Sequence, residues 1–519
     1  MNRIICFITI LGLAFLTVSA RGSQKRITVR TTADFVNNVS MENATFEIRG
    51  NVNLNGSSYT LQNGCELKVV SGYIANGEIK GRNTKLIVNK PSTIGVMLNG
   101  TWIAPMIEDT FFIRKLLTDD EIIANINALQ SKTVFNTIYL NKRKYQLTVK
   151  ESGGYAIRLL DSTKLVNKSE IILRGNNHKG YSIISISKAK NVEVSGGKIK
   201  GDVGVHTYQS GTTSEWGMGI TIEASENVEV HDIRISNCTG DGIYVCGLPT
   251  NYIGDYTKAS KTVILRNVTC DSNRRQGLSI ICVDGLLVDN CSFINTGKIE
   301  KTAPSSGIDI EPNVAKGRNN SVRDITIRGC TFKGNKGRSF ESDLSVTDGV
   351  IVNFSNITIE NCVADGQFFI GTPNVVVKNC KMESILIRPY EAPMDALFDN
   401  CQITGQGIIV RDPHKHEALY KNRRAKRTQA SLTLRNCRLV YSVKLQKQDG
   451  NLITIEGSPT YVGTILLDSC SLFIPNKYVN TELLMNKKSV DVKFRKCRIR
   501  AEKAMMRRGV ATFERCSGI

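Results

Sequence analysis

Four carboxylates in two short segments are the residues of this sequence most suited to chemistry. The segment SGIDIEPN contains Asp309 and Glu311, and the segment SFESD contains Glu341 and Asp343. On neighbouring parallel strands they would form a two-by-two lattice, with spacings of about 4.8 Å between strands and about 6.6 Å along a strand. Like charges this close raise one another's pKa unless a cation or a proton relieves them. The lattice therefore predicts either a bound hard cation such as Ca²⁺ or a general acid with a general base.

Other residues could complete a cleft around these acids. Asp241 precedes a predicted strand in TGDGIYV, and Arg274 and Arg275 precede another in NRRQGLS. Trp216 lies in the loop GTTSEWGMG, with His206 upstream of it. An aromatic ring in that position could stack on a sugar, while the acid, the arginines and the histidine are groups that move or hold protons.

These segments belong to a repeat whose units can be aligned on one cysteine position. The octets LLVDNCSF, ITIRGCTF, ITIENCVA, VVVKNCKM, ALFDNCQI, LTLRNCRL, ILLDSCSL, VKFRKCRI and ATFERCSG superpose without gaps. They align Cys291, Cys330, Cys362, Cys380, Cys401, Cys437, Cys470, Cys497 and Cys516, and Val268 and Ile233 fill the same position upstream. Intervals run from 18 residues (Cys362 to Cys380) to 39 residues (Cys291 to Cys330). A coil of strand, turn, strand and loop this short predicts a solenoid of stacked β-strands.

A second strand in each coil begins about nine residues after the cysteine position, which sets a register. One inward stack should contain Ile220, Ile243, Leu278, Ile308 and Phe340. One outward column should contain Thr221, Tyr244, Ser279, Asp309 and Glu341, and its neighbour Glu223, Cys246, Ile281, Glu311 and Asp343, continuing to Arg388 and Arg411. The candidate catalytic residues are therefore Asp309, Glu311, Asp241, Arg275 and His206. The candidate substrate-binding residues are Tyr244, Trp216, Arg274, Arg388 and Arg411, and the candidate metal ligands are Asp309, Glu311, Glu341 and Asp343.

The chain before the repeat predicts three further segments. Residues 1–20 have Arg3, an apolar run and Val-Ser-Ala, the pattern of a secretory signal peptide, so we expect a secreted, periplasmic or cell-surface protein. Residues 21–115 predict a small β-rich region. Residues 116–138 predict a capping helix, because Thr118 and Glu121 form a capping box and isoleucines follow at helical spacing. The β-solenoid should occupy residues 139–519.

The nine aligned cysteines do not fit a disulfide scaffold, although an exported chain would usually use them in that way. Stacked residues lie about 4.8 Å apart with parallel Cβ directions, whereas a disulfide needs Cβ atoms about 3.8 Å apart. We therefore expect reduced cysteines that pack in a column as small buried side chains.

The charge balance favours a polyanionic partner. The chain has 68 Lys and Arg against 47 Asp and Glu, a net charge of +21, with a dense basic run between Lys421 and Arg427. Behind a signal peptide, an acidic polysaccharide is the expected partner. We expect no nucleic acid, and no membrane once the signal peptide is removed.

The motifs TGDGIYV, NRRQGLS and SGIDIEPN, within a cysteine-rich β-coil ladder, resemble right-handed parallel β-helix proteins of the pectate-lyase-like superfamily. The resemblance covers residues from about Tyr139 to the C-terminus. It implies an all-β, right-handed parallel β-helix and carbohydrate-active function, since polysaccharide lyases, polygalacturonase-type hydrolases, uronan epimerases and phage depolymerases share this fold. The polygalacturonase pattern is not met, because Gly242 follows Asp241. Residues 412–414, Asp-Pro-His, match a tripeptide of mannuronan epimerases.

These observations predict β-elimination from a uronate-containing polysaccharide. A Ca²⁺ on the four-carboxylate lattice would neutralise the uronate, and Arg275, Arg388 or His206 would assist the proton transfer or hold the carboxylate. Three alternatives remain open: an inverting glycoside hydrolase that uses Asp309 and Glu311 with Asp241 in reserve, a uronan epimerase, and a polysaccharide-binding or adhesin-type protein without catalysis.

Overall fold

Parallel strands dominate the computed structural model. It describes residues 24–89, 93–141, 143–248, 258–312, 320–343, 352–388, 394–411, 428–442, 451–455, 461–475, 478, 482–486, 490–500 and 511–518. The expected signal peptide, the Asp-Pro-His tripeptide and the basic run from Lys421 to Arg427 lie outside these residues, so export remains a prediction. No helix among the described residues has the length and hydrophobicity needed to cross a bilayer. The chain forms two compact units, Met1–Trp102 and Ile103–Ile519.

The first unit contains a seven-stranded sheet and one short helix. Its strands are β1 (Lys25–Val29), β2 (Ala44–Ile48), β3 (Asn51–Asn53), β4 (Ser58–Thr60), β5 (Glu66–Val69), β6 (Tyr73–Val88) and β7 (Thr93–Ile103). Helix α1 (Thr32–Asn38) begins with a capping box between Thr31 and Asp34.

The second unit begins with a 16-stranded parallel sheet, which we call the first ladder. Its strands are β8 (Met106–Glu108), β9 (Asn136–Leu140), β12 (Thr163–Asn167), β15 (Lys190–Ser195), β18 (Glu226–His231), β21 (Ser260–Arg266), β24 (Val283–Asp289), β27 (Asn320–Arg328), β30 (Val352–Glu360), β33 (Val375–Lys378), β35 (Met394–Asp399), β37 (Thr428–Arg435), β40 (Tyr461–Val462), β41 (Thr464–Asp468), β44 (Asp491–Arg495) and β46 (Ala511–Glu514).

A 23-stranded sheet contains two further ladders. The second ladder has β10 (Lys144–Leu147), β13 (Glu170–Leu173), β16 (Lys198–Lys200), β19 (Arg234–Ser236), β22 (Thr269–Asp271), β25 (Ser292–Ile294), β28 (Thr331–Lys333), β31 (Val363–Ala364), β38 (Arg438–Tyr441), β42 (Ser471–Phe473) and β45 (Arg498–Arg500). The third ladder has β11 (Tyr155–Leu159), β14 (Gly180–Ser187), β17 (Trp216–Glu223), β20 (Asp241–Cys246), β23 (Gln276–Ile280), β26 (Ser306–Ile310), β29 (Phe340–Ser342), β32 (Gln367–Ile370), β39 (Asn451–Ile455) and β43 (Glu482–Asn486). The long strands β34 (Lys381–Ile387) and β36 (Gln402–Val410) pair with both ladders.

Each regular coil thus has three strands, where the sequence predicted two. The strand predicted around Cys291 is divided into β24 and β25, and the bend lies at Asn290, whose φ is 54°. Every residue that precedes an aligned cysteine position, from Asp232 to Arg515, has a φ between 51° and 63°. Asparagine tolerates this left-handed conformation better than most residues, which explains the recurrent Asn-Cys pair. The hydrophobic pattern continues through the bend, so the pattern alone does not indicate that one strand ends and another begins there.

The aligned cysteines form a column at this bend. All fourteen cysteines that the structure describes are free, and of the nine aligned ones only Cys516 is partly exposed. Each aligned thiol donates to the backbone carbonyl two residues before it, at 3.1 to 3.6 Å. The column therefore consists of free thiols that are buried except for Cys516, in agreement with the sequence prediction, and the hydrogen bonds of these thiols are an additional finding.

Helix α2 (Asp119–Leu129) lies against the first strands of the 23-stranded sheet, after a 3₁₀ turn at Asp109–Phe111. It begins with the predicted capping box of Thr118 and Glu121. Its side chains bind backbone groups of the opening strands. Asp120 accepts from Thr148 N at 2.8 Å, and Asn127 donates to Ala156 O at 3.0 Å and accepts from Arg158 N at 3.1 Å. Gln130, just after the helix, donates to Arg158 O at 2.6 Å and accepts from Leu160 N at 3.0 Å. These bonds occupy polar groups that an open strand edge would expose to other chains.

We expect the double change Asn127→Ala and Gln130→Ala to lower the urea midpoint of unfolding and to promote self-association. Four backbone hydrogen bonds are lost, each worth about 1 kcal/mol. Urea titration and size-exclusion chromatography with light scattering measure the two effects. Gln24→Ala, which removes one exposed bond to Gly64 O, is the control and should change neither. A double variant that stays monomeric with an unchanged midpoint would refute the role assigned to these bonds.

Candidate functional site

The third ladder places the predicted outward column in register. Thr221, Tyr244, Ser279, Asp309 and Glu341 are consecutive strand partners, and the column continues to Phe369, Leu386 and Ile409. The inward stack Ile220, Ile243, Leu278, Ile308 and Phe340 is also in register and buried. We call Asp241, Asp309, Glu311 and Glu341 the acid cluster.

Strand β23 lies between the strands that bear Asp241 and Asp309, and it binds both. Ser279 Oγ donates to Asp241 Oδ2 at 2.7 Å, and Gln276 Nε2 donates to Asp309 Oδ2 at 2.6 Å. The other oxygen of each carboxyl group, Oδ1, is buried and has no hydrogen-bond partner in the described part of the chain. Both acids are thus fixed in place with one oxygen left over for another ligand.

Arg275 connects Asp241 to Glu311. Its Nη2 donates to Glu311 Oε2 at 2.8 Å, and its Nη1 lies 3.3 Å from Asp241 Oδ2. Burial opposes the charge of Arg275, but the neighbouring carboxylates, Asp241 foremost, raise its pKa above the usual value. Burial raises the pKa of Asp241 to about 6, although Arg275 and the Ser279 hydroxyl favour its ionised form. Arg275 is therefore a stabilised cation that donates to both Asp241 and Glu311.

Asp309 and Glu341 are held differently. Burial raises the pKa of Asp309 well above its usual value, and the charges of Glu341 and Glu311 raise it further. Burial also raises the pKa of Glu341, although Arg338 and the Ser306 hydroxyl, which bind its two oxygens, favour the ionised form. The cluster thus combines Asp309, whose pKa is raised, with Glu311 two residues later, which accepts from the Arg275 cation.

Only part of the cluster reaches solvent. The Glu311 side chain is 38% exposed, whereas Asp309 is 2% exposed. Trp216 is 45% exposed, and its ring meets Tyr244 edge-on with centroids 6.1 Å apart. The Arg275 guanidinium carbon lies 6.0 Å from the Trp216 ring centroid. A sugar ring arriving from solvent would therefore meet Trp216 and Glu311 first.

The four carboxylates proposed as calcium ligands do not converge. Among the described residues, no group of three or more acidic, histidine or cysteine side chains is arranged to hold a metal ion. Glu311 and Glu341 instead face arginines, and Asp309 faces Gln276. This arrangement does not fit a preformed calcium site, and calcium binding remains a prediction.

His206 and Arg274 are held away from the acids. His206 Nδ1 lies 2.8 Å from Asp202 Oδ2, and its side chain is fully buried. The Arg274 guanidinium lies 4.5 Å above the Tyr208 ring and donates to Thr213 O at 2.8 Å. The structure therefore places both beside a loop, whereas the adjacent Arg275 faces the acid cluster.

The two remaining predicted arginines lie further along the same face. Arg388 N donates to Ile370 O at 3.1 Å and Arg411 N to Ile387 O at 2.9 Å, as the predicted second column requires. The guanidinium groups of Arg388 and Arg338 lie 4.8 Å and 4.5 Å from the Phe369 ring centroid. Two cations on one buried ring give this end of the face a positive character.

Sequence reasoning did not identify Gln276, Ser306 and Arg338 as partners of the acids. Gln276 and Ser306 occupy the strand position that Asp241 occupies one and two coils earlier, so the repeat register could have indicated them. Arg338 is three residues before Glu341, but strand alternation alone does not bring the two together, and no signal in the sequence indicated that contact.

Comparison with known proteins agrees with this architecture. The family profile described as "Right handed beta helix region" matches residues 136–342, which include the acid cluster. Together with the parallel ladders, the match shows that the chain folds as a right-handed parallel β-helix, as the sequence predicted.

Two curated relatives and two solved structures illustrate the similarity. The uncharacterized protein YclG of Bacillus subtilis (strain 168) is 35% identical over 244 residues, which is 45% of this chain and 38% of YclG. The SPbeta prophage-derived uncharacterized protein YorA of the same strain is 33% identical over 193 residues, 36% of this chain and 33% of YorA. The chain thus matches less than two-fifths of either relative's length.

The solved structures share much less sequence. A GH87 alpha-1,3-glucanase catalytic domain in complex with nigerose is 12% identical, with a TM-score of 0.40, over 77% of this chain and 67% of that one. The tailspike protein of E. coli bacteriophage HK620 in complex with a pentasaccharide is 10% identical, with a TM-score of 0.42, over 92% of this chain and 73% of that one.

Proposed function

We propose that this right-handed parallel β-helix protein hydrolyses a glycosidic bond of a polysaccharide, with Asp309 as general acid and Glu311 as general base. The supporting observation is that two carboxyl groups two residues apart have different partners. Asp309, in β26, accepts from the neutral Gln276, and burial raises its pKa, whereas Glu311, directly after β26, accepts from the Arg275 cation. Positions i and i+2 of a strand are about 6.6 Å apart. That spacing is near the lower end of the roughly 6.5–9.5 Å that inverting glycosidases use.

The proton balance is simple. Asp309 donates its proton to the glycosidic oxygen as the bond to the anomeric carbon breaks, and water attacks that carbon from the opposite face. Glu311 accepts the proton of the water, so the pair is restored by exchanging one proton with solvent. Arg275 stays charged throughout, since its pKa is raised by Asp241 and Glu311, and it holds the Glu311 carboxylate towards the solvent side of the cluster.

The substrate we propose is an acidic polysaccharide. The chain's net charge of +21 favours polyanions, and Arg338 and Arg388 lie beside the acid cluster, over Phe369. Trp216, which is 45% exposed, offers an aromatic surface for a sugar. Binding with this electrostatic component should weaken as the salt concentration rises.

β-Elimination is less well supported by this geometry. An arginine that acts as the base must lose its proton near neutral pH, and Arg275 is a stabilised cation. An epimerase would need the same kind of base. Asp309, by contrast, has the raised pKa that a general acid in hydrolysis requires.

The chemistry of the product tests this proposal. We expect incubation with uronate-containing polysaccharides to release reducing ends without ultraviolet absorbance from a conjugated double bond, and with no effect of a chelator. Reducing-sugar assay and absorbance on the same sample measure both. An absorbing product whose formation stops with chelator would instead establish the calcium-dependent lyase. Salt-sensitive retention on the polymer with no shortened chains would establish a binding protein.

A further inference from the structure

Residues 201–215 form the connection between β16 and β17 and lead directly into Trp216. We call this segment the 201–215 loop. It packs on the preceding coil through Thr207 N, which donates to Asn176 O at 2.8 Å, and Gln209 Nε2, which donates to Asn177 O at 2.9 Å. The loop therefore determines where the exposed Trp216 ring lies.

Arg274 attaches the far end of this loop to the two coils that follow. Its guanidinium lies 4.5 Å above the Tyr208 ring, and Nη1 donates to Thr213 O at 2.8 Å. Its Nε lies 3.5 Å from Glu300 Oε2, in the connection between β25 and β26. Thr213 is three residues before Trp216, so this contact acts close to the aromatic ring.

A buried polar chain supports the base of the loop. Asp202 binds His206 Nδ1 at 2.8 Å through Oδ2 and accepts from the Tyr181 hydroxyl through Oδ1. The Thr239 hydroxyl in turn donates to the Tyr181 oxygen at 2.8 Å. Thr239 lies two residues before Asp241, the first residue of β20. The residues that lead into β20 therefore connect the base of the 201–215 loop with the acid cluster. The Tyr208 ring lies 4.7 Å from that of His206, which joins this chain to the Arg274 contacts.

We infer that Arg274 is a positioning residue that holds the 201–215 loop against the acid cluster and so fixes Trp216 as a sugar-stacking surface. The two consecutive arginines have different binding partners. Arg275 binds the acids, and Arg274 binds the loop beside them. The negative charge of Glu215, which precedes Trp216, acts on both Asp241 and Arg275, so the loop end lies within electrostatic reach of the chemistry. The inference rests on the proposed function for the identity of the ligand, but the position of Trp216 can be measured without any ligand.

Tryptophan fluorescence gives the direct test, because the chain has only two tryptophans. Trp102 is 1% exposed and Trp216 is 45% exposed, and the spectrum of Trp216→Phe separates their contributions. We expect Arg274→Gln to shift the Trp216 emission to longer wavelength and to increase its quenching by acrylamide. Tyr208→Leu should act in the same direction, and Arg274→Lys should restore part of the wild-type spectrum. On an acidic polysaccharide, KM should rise more than kcat falls, since a binding surface is lost rather than the acid.

Arg234→Gln is the matched control, because it removes an arginine that pairs with Asp271 on the second ladder. It should leave the Trp216 emission and quenching unchanged. Unchanged Trp216 fluorescence in both Arg274→Gln and Tyr208→Leu, with wild-type circular dichroism, would overturn the inference, as would an equal change in Arg234→Gln. If the spectral change appears but no polysaccharide is cleaved, the positioning role stands and the proposed hydrolysis fails.

Discussion

Asp309→Asn should lose about 10²–10⁴-fold in kcat on an acidic polysaccharide, the range attributed to a general acid or base. The amide has the shape of the carboxyl group and can still accept from Gln276, but it cannot protonate a leaving oxygen. Steady-state kinetics with reducing-end detection measures the loss, and binding of the polymer should persist.

The control for this loss is Glu229→Gln, on the first ladder. It also removes one carboxylate, paired with Arg266 at 3.0 Å outside the cluster, and should keep wild-type kcat. If Asp309→Asn retains full activity while Glu311→Gln does not, the acid is another group, and Asp241 becomes the first candidate.

The same Asp309→Asn variant should be more stable than the wild type at pH 8 and equally stable at pH 4. The folded protein keeps the protons of Asp309, Asp241 and Glu341 to higher pH than the unfolded chain does, because their pKa values are raised by burial. The folded state then binds more protons, so the unfolding free energy is greatest below the unfolded pKa near 4 and falls as pH rises through the folded values. A rise from 3.8 to about 6, as at Asp241, corresponds to about 3 kcal/mol at neutral pH.

Urea unfolding at pH 4, 6 and 8 measures this prediction. The difference between Asp309→Asn and the wild type should grow with pH, whereas Glu229→Gln should show no such growth. A wild type that is as stable as Asp309→Asn at pH 8 would mean that Asp309 is ionised and solvated, and it would remove the protonated acid from the proposed mechanism.

The sequence could predict the ladder register because each coil repeats a fixed offset. The column through Tyr244, Ser279 and Glu341 follows from counting nine residues from the aligned position to the start of the next strand, and Asp309 joins it once its longer loop is allowed for. The pairing register then determines which residues share a face. The third strand of the coil was missed, because a single left-handed residue such as Asn290 turns the chain without interrupting the apolar pattern.

The partners of the acids were harder to predict, because they depend on side-chain direction and not on spacing. Arg274 and Arg275 are adjacent in sequence, yet one binds a loop carbonyl and the other two carboxylates. His206 has a histidine's chemistry, but Asp202, four residues earlier, holds its imidazole in a fully buried pair. The sequence pattern does not distinguish Arg274, Arg275 and His206 as candidates, whereas their side-chain contacts in the folded protein do.

The thiol column has a consequence for the order of events during folding. In an unfolded chain, cysteines about 20 residues apart, such as Cys380 and Cys401, meet easily and can be oxidised to a disulfide that the stacked coils do not accommodate. Disulfide formation takes seconds to hours, which is slow compared with elementary steps of folding such as loop closure. Each coil needs contacts only with its neighbours, so docking one coil on the last can bury its thiol before oxidation occurs. In an oxidising compartment, successful folding would thus depend on whether each coil docks faster than its cysteine forms a disulfide.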